Sequence, residues 1–269
     1  MSRTLTVTIE LAGVPVAFSS ADPYWIDLVV FRYHAFATSV PAVFEVLHAT
    51  RTAVPAEVPS PLAVHTAPVT HRAATRSRFE LVGESFTASI DLEKATAHID
   101  GPCALYPLDA VLRETLPLLL EDGVLLHGGA AVGDDGRGVV FCGESGAGKS
   151  TLGRLLDGRT LCDEMVGMCR TPNGAAIRPT PFWRARPGRA SLAAIYALRH
   201  GPVHRRHRLE GADAVRELSR HVVWPRDHAA GLEHTFVTLS GLVETTPVWE
   251  LEFVPRPDVW DVIRPEALR

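Results

Sequence analysis

The residues that most narrow what this chain can become are Gly143 to Ser150, GESGAGKS, which satisfy the pattern GxxxxGK[ST]. The spacing has a mechanical reason. Glycines let successive backbone N–H groups curl inward around phosphate oxygens, the helix that follows adds a partial positive charge, the lysine reaches the terminal phosphates and the hydroxyl ligates magnesium. Such a loop works only between a strand and a helix, and the flanking GVVF and STLGRLL supply both. The chain has only two lysines, Lys94 and Lys149, against a background of arginine, so the loop lysine is not one of a general basic population. A chance match would arise in roughly two of a thousand chains of this composition. The segment therefore predicts an α/β fold with a nucleoside triphosphate held by Gly143, Glu144, Ser145, Gly146, Ala147, Gly148, Lys149, Ser150 and Thr151.

The surroundings of the loop extend this reading. Val124 to Val132 and Gly138 to Cys142 read as a β-hairpin. With Asp135-Gly136 as a two-residue turn, residue 134 faces 137 and His127 faces Glu144, at the mouth of the loop and within reach of a transferred phosphoryl group. Beyond the loop a short helix (Ser150 to Leu156), an Asp157-Gly158 break and a strand from Thr160 to Cys162 lead to Asp163-Glu164, 14 positions after Lys149. A crossover back to a parallel neighbour brings both carboxylates to the phosphate edge. One of them can complete the coordination of magnesium with Ser150, while the other accepts the proton of an attacking hydroxyl.

Elsewhere the pattern is plainer. In the first hundred residues Leu5 to Leu11, Trp25 to Phe31, Arg78 to Val82 and Phe86 to Leu92 read as strands, being short and rich in β-branched or aromatic residues. Arg51 to Arg76 is rich in Pro, Ala, Thr and His and reads as a linker. Pro107 to Glu121 has helical spacing that Pro117 should kink or split. The last third suggests a strand at Leu192 to Leu198, a helix at Asp213 to His221, a strand at Val248 to Val254 and a short helix near Val259. The resulting division is a β-rich region over 1–104, with its linker at about 51–76, and a phosphate-loop domain over 105–269.

At 269 residues and 46% hydrophobic, the chain can bury one or two cores. A net charge of -4 and a pI near 6.3 give no basic field for nucleic acid or an anionic membrane. The N-terminus lacks an unbroken apolar core, and Leu116 to Leu120 is far short of the roughly 20 residues of a membrane span, so a soluble, cytoplasmic protein is expected. Cys103, Cys142, Cys162 and Cys169 show no zinc-site spacing and read as free thiols. The run His200, His204, Arg205, Arg206, His207 and Arg208 reads as a solvated edge, or as a dock for an acidic peptide. Arg184, Arg186 and Arg189, around Trp183, offer a mobile arginine for the transferring group, with Phe182 and Trp183 as packing anchors.

LLHGGAAVGDDGRGVVFCGESGAGKSTL followed by LCDEMVG resembles the catalytic core of HPr kinase/phosphorylase and, through the short gap from loop to acids, the related ATP-type phosphoenolpyruvate carboxykinases. The resemblance implies an α/β P-loop kinase core, a mixed central sheet with flanking helices, that uses ATP and magnesium to phosphorylate a serine hydroxyl. It implies Lys149 on the β/γ phosphates, Ser150 and Asp163 at the metal, His127 beside the phosphoryl group and Glu164 as the base. The segments around Phe182-Trp183, SLAAIYAL, Asp213 to His221 and PVWELEF are similar to HPr-kinase-like proteins found beside ribosomal peptide biosynthesis genes, some of which phosphorylate a precursor peptide. The acceptor implied is thus a peptide or small protein, with the oligomeric state open. Thr151 stands where HPr kinases carry Glu, Glu164 stands where they carry a second Asp, and the loop tied to phosphorylase activity has no match, so the reverse reaction is not expected. A kinase of a small hydroxylated metabolite, a carboxykinase-like enzyme, and a non-catalytic ATP-binding regulatory module are the alternatives.

Overall fold

A computed structural model describes residues 3–50, 69–73, 75 and 77–265; most of the linker expected at about 51–76 lies outside the described residues. The fold is mixed α/β, with two mixed sheets. The chain divides into two compact units, Met1–Leu119 with Pro225–Ala230, and Leu120–Trp224 with Gly231–Arg269.

The first unit is β-rich. Its strands β1 (Leu5–Leu11), β2 (Val14–Ser20), β3 (Phe44–Thr50), β4 (Thr70–Ala73), β5 (Arg78–Val82), β6 (Thr87–Asp91) and β7 (Thr96–Gly101) form one sheet in the order β1-β2-β3-β7-β6-β5-β4. Helix α1 (Pro23–Tyr33) occupies the segment expected as a strand at Trp25 to Phe31. Asp22 caps it by accepting from the Tyr24 N–H, Pro23 supplies a preset φ in the first turn, and Trp25, Leu28, Val29 and Tyr33 recur on one buried side, so capping and helical periodicity override the β propensity of the individual residues. Helix α2 (Tyr106–Leu119) also belongs to this unit and runs through Pro117 as one helix. The proline costs the helix the bond its N–H would have given to the Arg113 carbonyl, and the helix ends two residues later.

The second unit contains β8 (Gly123–Val132), β9 (Arg137–Cys142), α3 (Lys149–Leu155), β10 (Thr160–Cys162), β11 (Met165–Thr171), β12 (Gly174–Pro179), β13 (Ala190–His200), β14 (Arg205–Leu209), α4 (Gly211–Ser219), α5 (Ala229–Thr245), β15 (Val248–Phe253) and α6 (Val259–Ile263). Pairings run from β8 to β9, β13, β12, β11 and back to β8, so five strands close a circuit, while β15 and β14 extend it beyond β13. Strand alternation sends Val140 and Phe141 to opposite sides. One side packs Leu126, Val140 and Ile195 under Leu218 of α4 and Leu239 and Leu242 of α5. The other packs Phe141, Tyr196 and Leu251 under Leu152 of α3 and Ile263 of α6. Each such side chain contributes about 1.5–3 kcal/mol by leaving water, which fixes α3, and with it the glycine-rich loop, against the end of β9.

Two sequence expectations shift by small but consequential amounts. The β8–β9 turn is a three-residue loop, Asp134 to Gly136: Val132 pairs with Gly138, the Gly133 N–H donates to the Arg137 carbonyl at 2.8 Å, and Gly136 takes φ +78°. This is a type I turn closed by a left-handed glycine, and it moves the register one residue from that of a two-residue turn. Strand β10 pairs with β8, antiparallel, and not with a parallel neighbour, because β8 lies between β9 and β10. Among the described residues no helix is long and apolar enough to cross a membrane.

Candidate functional site

Strand β9 delivers the chain into the loop. Gly146 and Gly148 adopt φ of +85° and +100°, and the Phe253 ring closes on Gly148 so tightly that an added Cβ would lie 2.7 Å from it. The Ala147 N–H donates to the Glu144 carbonyl at 3.0 Å. The Lys149 ammonium donates to the carbonyls of Gly143 at 2.7 Å and Glu144 at 2.9 Å, and the His200 imidazole bonds the Gly146 carbonyl through Nε2 at 2.8 Å. Burial pushes Lys149 below its ordinary range, against the pull of Cys142 and Glu164. Glu144 and Ser145 are exposed, as is Ser150 in the first turn of α3, while Thr151 is half-buried.

The strand register supplies the remaining groups. Gly128 pairs with Cys142 on one edge of β8, and on the other edge the Gly128 N–H donates to the Glu164 carbonyl at 3.0 Å. Strands β10 and β11 run along that second edge as one line, with Cys162 opposite Ala130 and Met165 opposite His127, so Asp163 and Glu164 lie beside Gly129 and Gly128. Neighbouring strands are about 4.8 Å apart. The residue that enters the phosphate loop, His127-Gly128-Gly129 and the acid pair therefore occupy three adjacent strands within about 10 Å. The one-residue shift in register sets His127 beside the start of the loop at Gly143 and not beside Glu144. Gly128 is required by close approach, since a Cβ there would stand 2.5 Å from the Phe141 carbonyl oxygen.

Asp163 and Glu164 form the bend between β10 and β11. Asp163 lies on the α3 side, where a Cβ on Gly153 would sit 3.2 Å from the Asp163 Cβ, and Ser150 lies one turn earlier on the same flank of that helix. Asp163 is 5% exposed and its Oδ1 has no hydrogen-bond partner. Burial raises its pKa, with the backbone N–H and guanidinium of Arg184 pulling the other way. A cleft of about 440 Å³ is lined by Glu144 and Ala147 of the loop with Arg199 and Arg220, and another of about 470 Å³ lies by the end of α3, lined by Gly153, Asp157, Asp163 and Arg184. Glu164 is half-buried and close enough for its charge to act on Lys149. His127 is exposed, and its backbone N–H donates to the His221 carbonyl at 2.7 Å.

Other expected groups are engaged elsewhere. The basic run forms edge strand β14, where Arg205 bonds Glu252 at 2.8 Å, Arg206 and Arg208 cover the Trp249 ring at 4.8 and 5.2 Å, and His204 meets Asp258 at 3.1 Å. Arg186 bonds the carbonyls of Gly158, Arg159 and Thr160. Phe182 is a buried anchor, but Trp183 is 58% exposed and does not pack as expected. All four cysteines are free, and burial pushes the Cys142 thiol behind the loop up to about 12.

One cluster escaped sequence reasoning. Where β9 leaves β8, residues 221–223 take its place: Val222 bridges Leu126, and the Val223 N–H donates to the Leu125 carbonyl at 2.8 Å. This seats the end of α4 at the loop. Arg199 donates from Nη2 to Glu217 Oε1 at 2.7 Å and lies 3.2 Å from Glu250, while His221 Nε2 is 3.3 Å from the same Glu217 oxygen. Burial would raise Glu217, yet Arg199 and His221 hold it below its ordinary value; burial lowers His221, helped by Lys149 and Arg199 and opposed by Glu217. The i, i+4 spacing of Glu217 and His221 was a visible signal of a pair, but nothing local tied it to the loop. A scan against protein-family models and a search of curated proteins find no match to this chain.

Proposed function

We propose that the chain is an ATP- and magnesium-dependent kinase with a P-loop core of the HPr kinase and phosphoenolpyruvate carboxykinase type, transferring the γ-phosphoryl group to a hydroxyl, in the first instance a serine of a peptide or small protein. The observation that carries this reading is the triple of adjacent strands, with the entry to the loop, His127-Gly128 and Asp163-Glu164 side by side. A nucleotide-binding loop alone needs no acid pair across an intervening strand.

In this reading Lys149 turns from the loop carbonyls to the β and γ phosphates, where its charge opposes the charge of the transferring group. Ser150 and Asp163 would hold magnesium, which would offset the negative charge of the phosphates. The fit rests on Asp163, a buried carboxylate with an Oδ1 that lacks a partner, and magnesium characteristically takes only one or two protein carboxylates beside phosphates. Glu164 accepts the proton of the attacking hydroxyl as its oxygen bonds to the γ phosphorus and the bond to the β–γ bridging oxygen breaks. His127 lies beside the same centre and can donate to a phosphoryl oxygen.

Incubation with γ-labelled ATP, magnesium and candidate serine peptides tests the proposal. Label should move to an acceptor with the parent and not with Lys149→Ala. Nucleotide binding that survives Glu164→Gln and His127→Ala, with no transfer to any acceptor and no hydrolysis by the parent, would instead identify an ATP-gated binding module.

A further inference from the structure

The cluster around Glu217 sits at the loop, and the proposed chemistry makes no use of it. Strand β13 runs parallel to β9, with Ala197 opposite Cys142, so Arg199 emerges two residues further on, alongside the loop mouth. The carboxyl ends of the parallel strands β9 and β13 lie side by side at the loop, which is where this guanidinium emerges. Together with Arg220 and the backbone of Glu144 to Ala147 it lines the cleft of about 440 Å³ on that flank. Arg199 is the better ordered of the two arginines. Its Nη2 bonds Glu217 at 2.7 Å, its Nε lies 3.2 Å from Glu250, and its Nη1 bonds the Leu198 carbonyl at 3.1 Å. A guanidinium carries five N–H donors, so a second hydrogen remains on each of Nη1 and Nη2.

Glu217 is what holds this arrangement. It is 9% exposed and meets two guanidiniums and an imidazole, Arg199 at 2.7 Å, Arg220 at 3.5 Å and His221 at 3.3 Å. A buried carboxylate is costly unless paired, and one shared by three basic groups beside a phosphate loop orders them without a packing role of its own. Lys149 is near enough for its charge to act on His221, so the cluster and the loop lysine share one field.

Resting on the kinase reading above, we infer that Glu217 is a positioning residue that fixes Arg199 for contact with the terminal phosphate of ATP, and that this contact lets the site tell ATP from ADP. An arginine fork held in place loses little freedom on meeting a phosphate, whereas a released one must be ordered at that moment.

The test needs no identified acceptor. Affinities for fluorescent ATP and ADP analogues with magnesium, together with slow hydrolysis of ATP, are measured for the parent, Glu217→Gln, Glu217→Asp, Arg199→Ala and the Glu217→Gln/Arg199→Ala double variant, with thermal melting as a check on folding. The preference for ATP over ADP should fall about tenfold in Glu217→Gln and in Arg199→Ala, and the double variant should be no worse than Arg199→Ala alone, since one residue acts through the other. Glu217→Asp, which keeps the charge on a shorter arm, should recover part of the preference. Variants that melt lower but keep the parent's preference, or whose effects add, would reduce Glu217 to a structural ion pair and overturn the inference. A parent that binds neither nucleotide would remove the kinase reading beneath it, a result distinct from the first.

Discussion

Two buried aspartates, one in each unit, are kept in opposite ways. Asp109 on α2 is 2% exposed and held by an ion pair: the Tyr33 hydroxyl donates to Oδ1 at 2.7 Å, and the Arg32 guanidinium is 3.4 Å from Oδ2, an oxygen that accepts no hydrogen bond. Asp163 is 5% exposed and keeps Oδ1 without a hydrogen-bond partner, at the edge of a cleft by the end of α3. A buried acid held in an ion pair ties elements together. One whose free oxygen borders a cleft can meet a ligand there, and perturbed acids in clefts concentrate at functional sites. Both leave one oxygen without a hydrogen bond, so the setting makes the difference: an ion pair for Asp109, a cleft for Asp163.

The sharpest way to break the comparison is to neutralise each acid. Asp163→Asn should cut phosphoryl transfer by about 10³-fold or more, the scale of losing a group at the metal, while thermal melting shows stability unchanged or raised because an under-partnered charge is gone. Asp109→Asn should do the reverse, costing about 3 kcal/mol in a denaturant titration by stranding Arg32, with nucleotide affinity intact. If both variants lose stability and neither loses transfer, the contrast between them is not functional. Next in size, Gly128→Ala drives a Cβ into the Phe141 carbonyl and should cost about 2 kcal/mol, with loss of nucleotide affinity because the strand that enters the loop must shift.

The smallest effect concerns His48, which is 6% exposed, stacks on Trp25 at 4.6 Å and has Nε2 3.3 Å from the Pro102 carbonyl. Burial lowers its pKa below the ordinary 6.5, so as pH falls through 6.5 the unfolded chain takes up a proton that the folded one resists. Stability should therefore decline from pH 7 to pH 5, and decline less in His48→Gln, as followed by melting temperature across that range.

The glycine-rich loop, the hairpin that feeds it and the strand before the acid pair are legible in the sequence because each depends on contacts within a few positions. Turn chemistry, capping and side-chain period act over that range. Strands β1 and β5 match the expected segments for the same reason. Helix α1 was misread because aromatic and β-branched residues were weighed above the Asp22 cap and Pro23. Helix α5, the longest at 17 residues, went unpredicted because two glycines and several β-branched residues obscure its pattern.

What the sequence by itself determined is therefore a set of local pieces: a glycine-rich loop between strand and helix, a histidine shortly before it and two acids shortly after. Tertiary structure alone decided that β8 lies between β9 and β10, that Asp163 and Glu164 come to lie beside Gly129 and Gly128, and that Arg199, Glu217 and His221 arrive at the loop from β13 and α4. The physical reason is that a strand's neighbours and register are chosen by burial across the whole sheet, where a shift of one residue reverses every side chain, and no short window of sequence contains that choice.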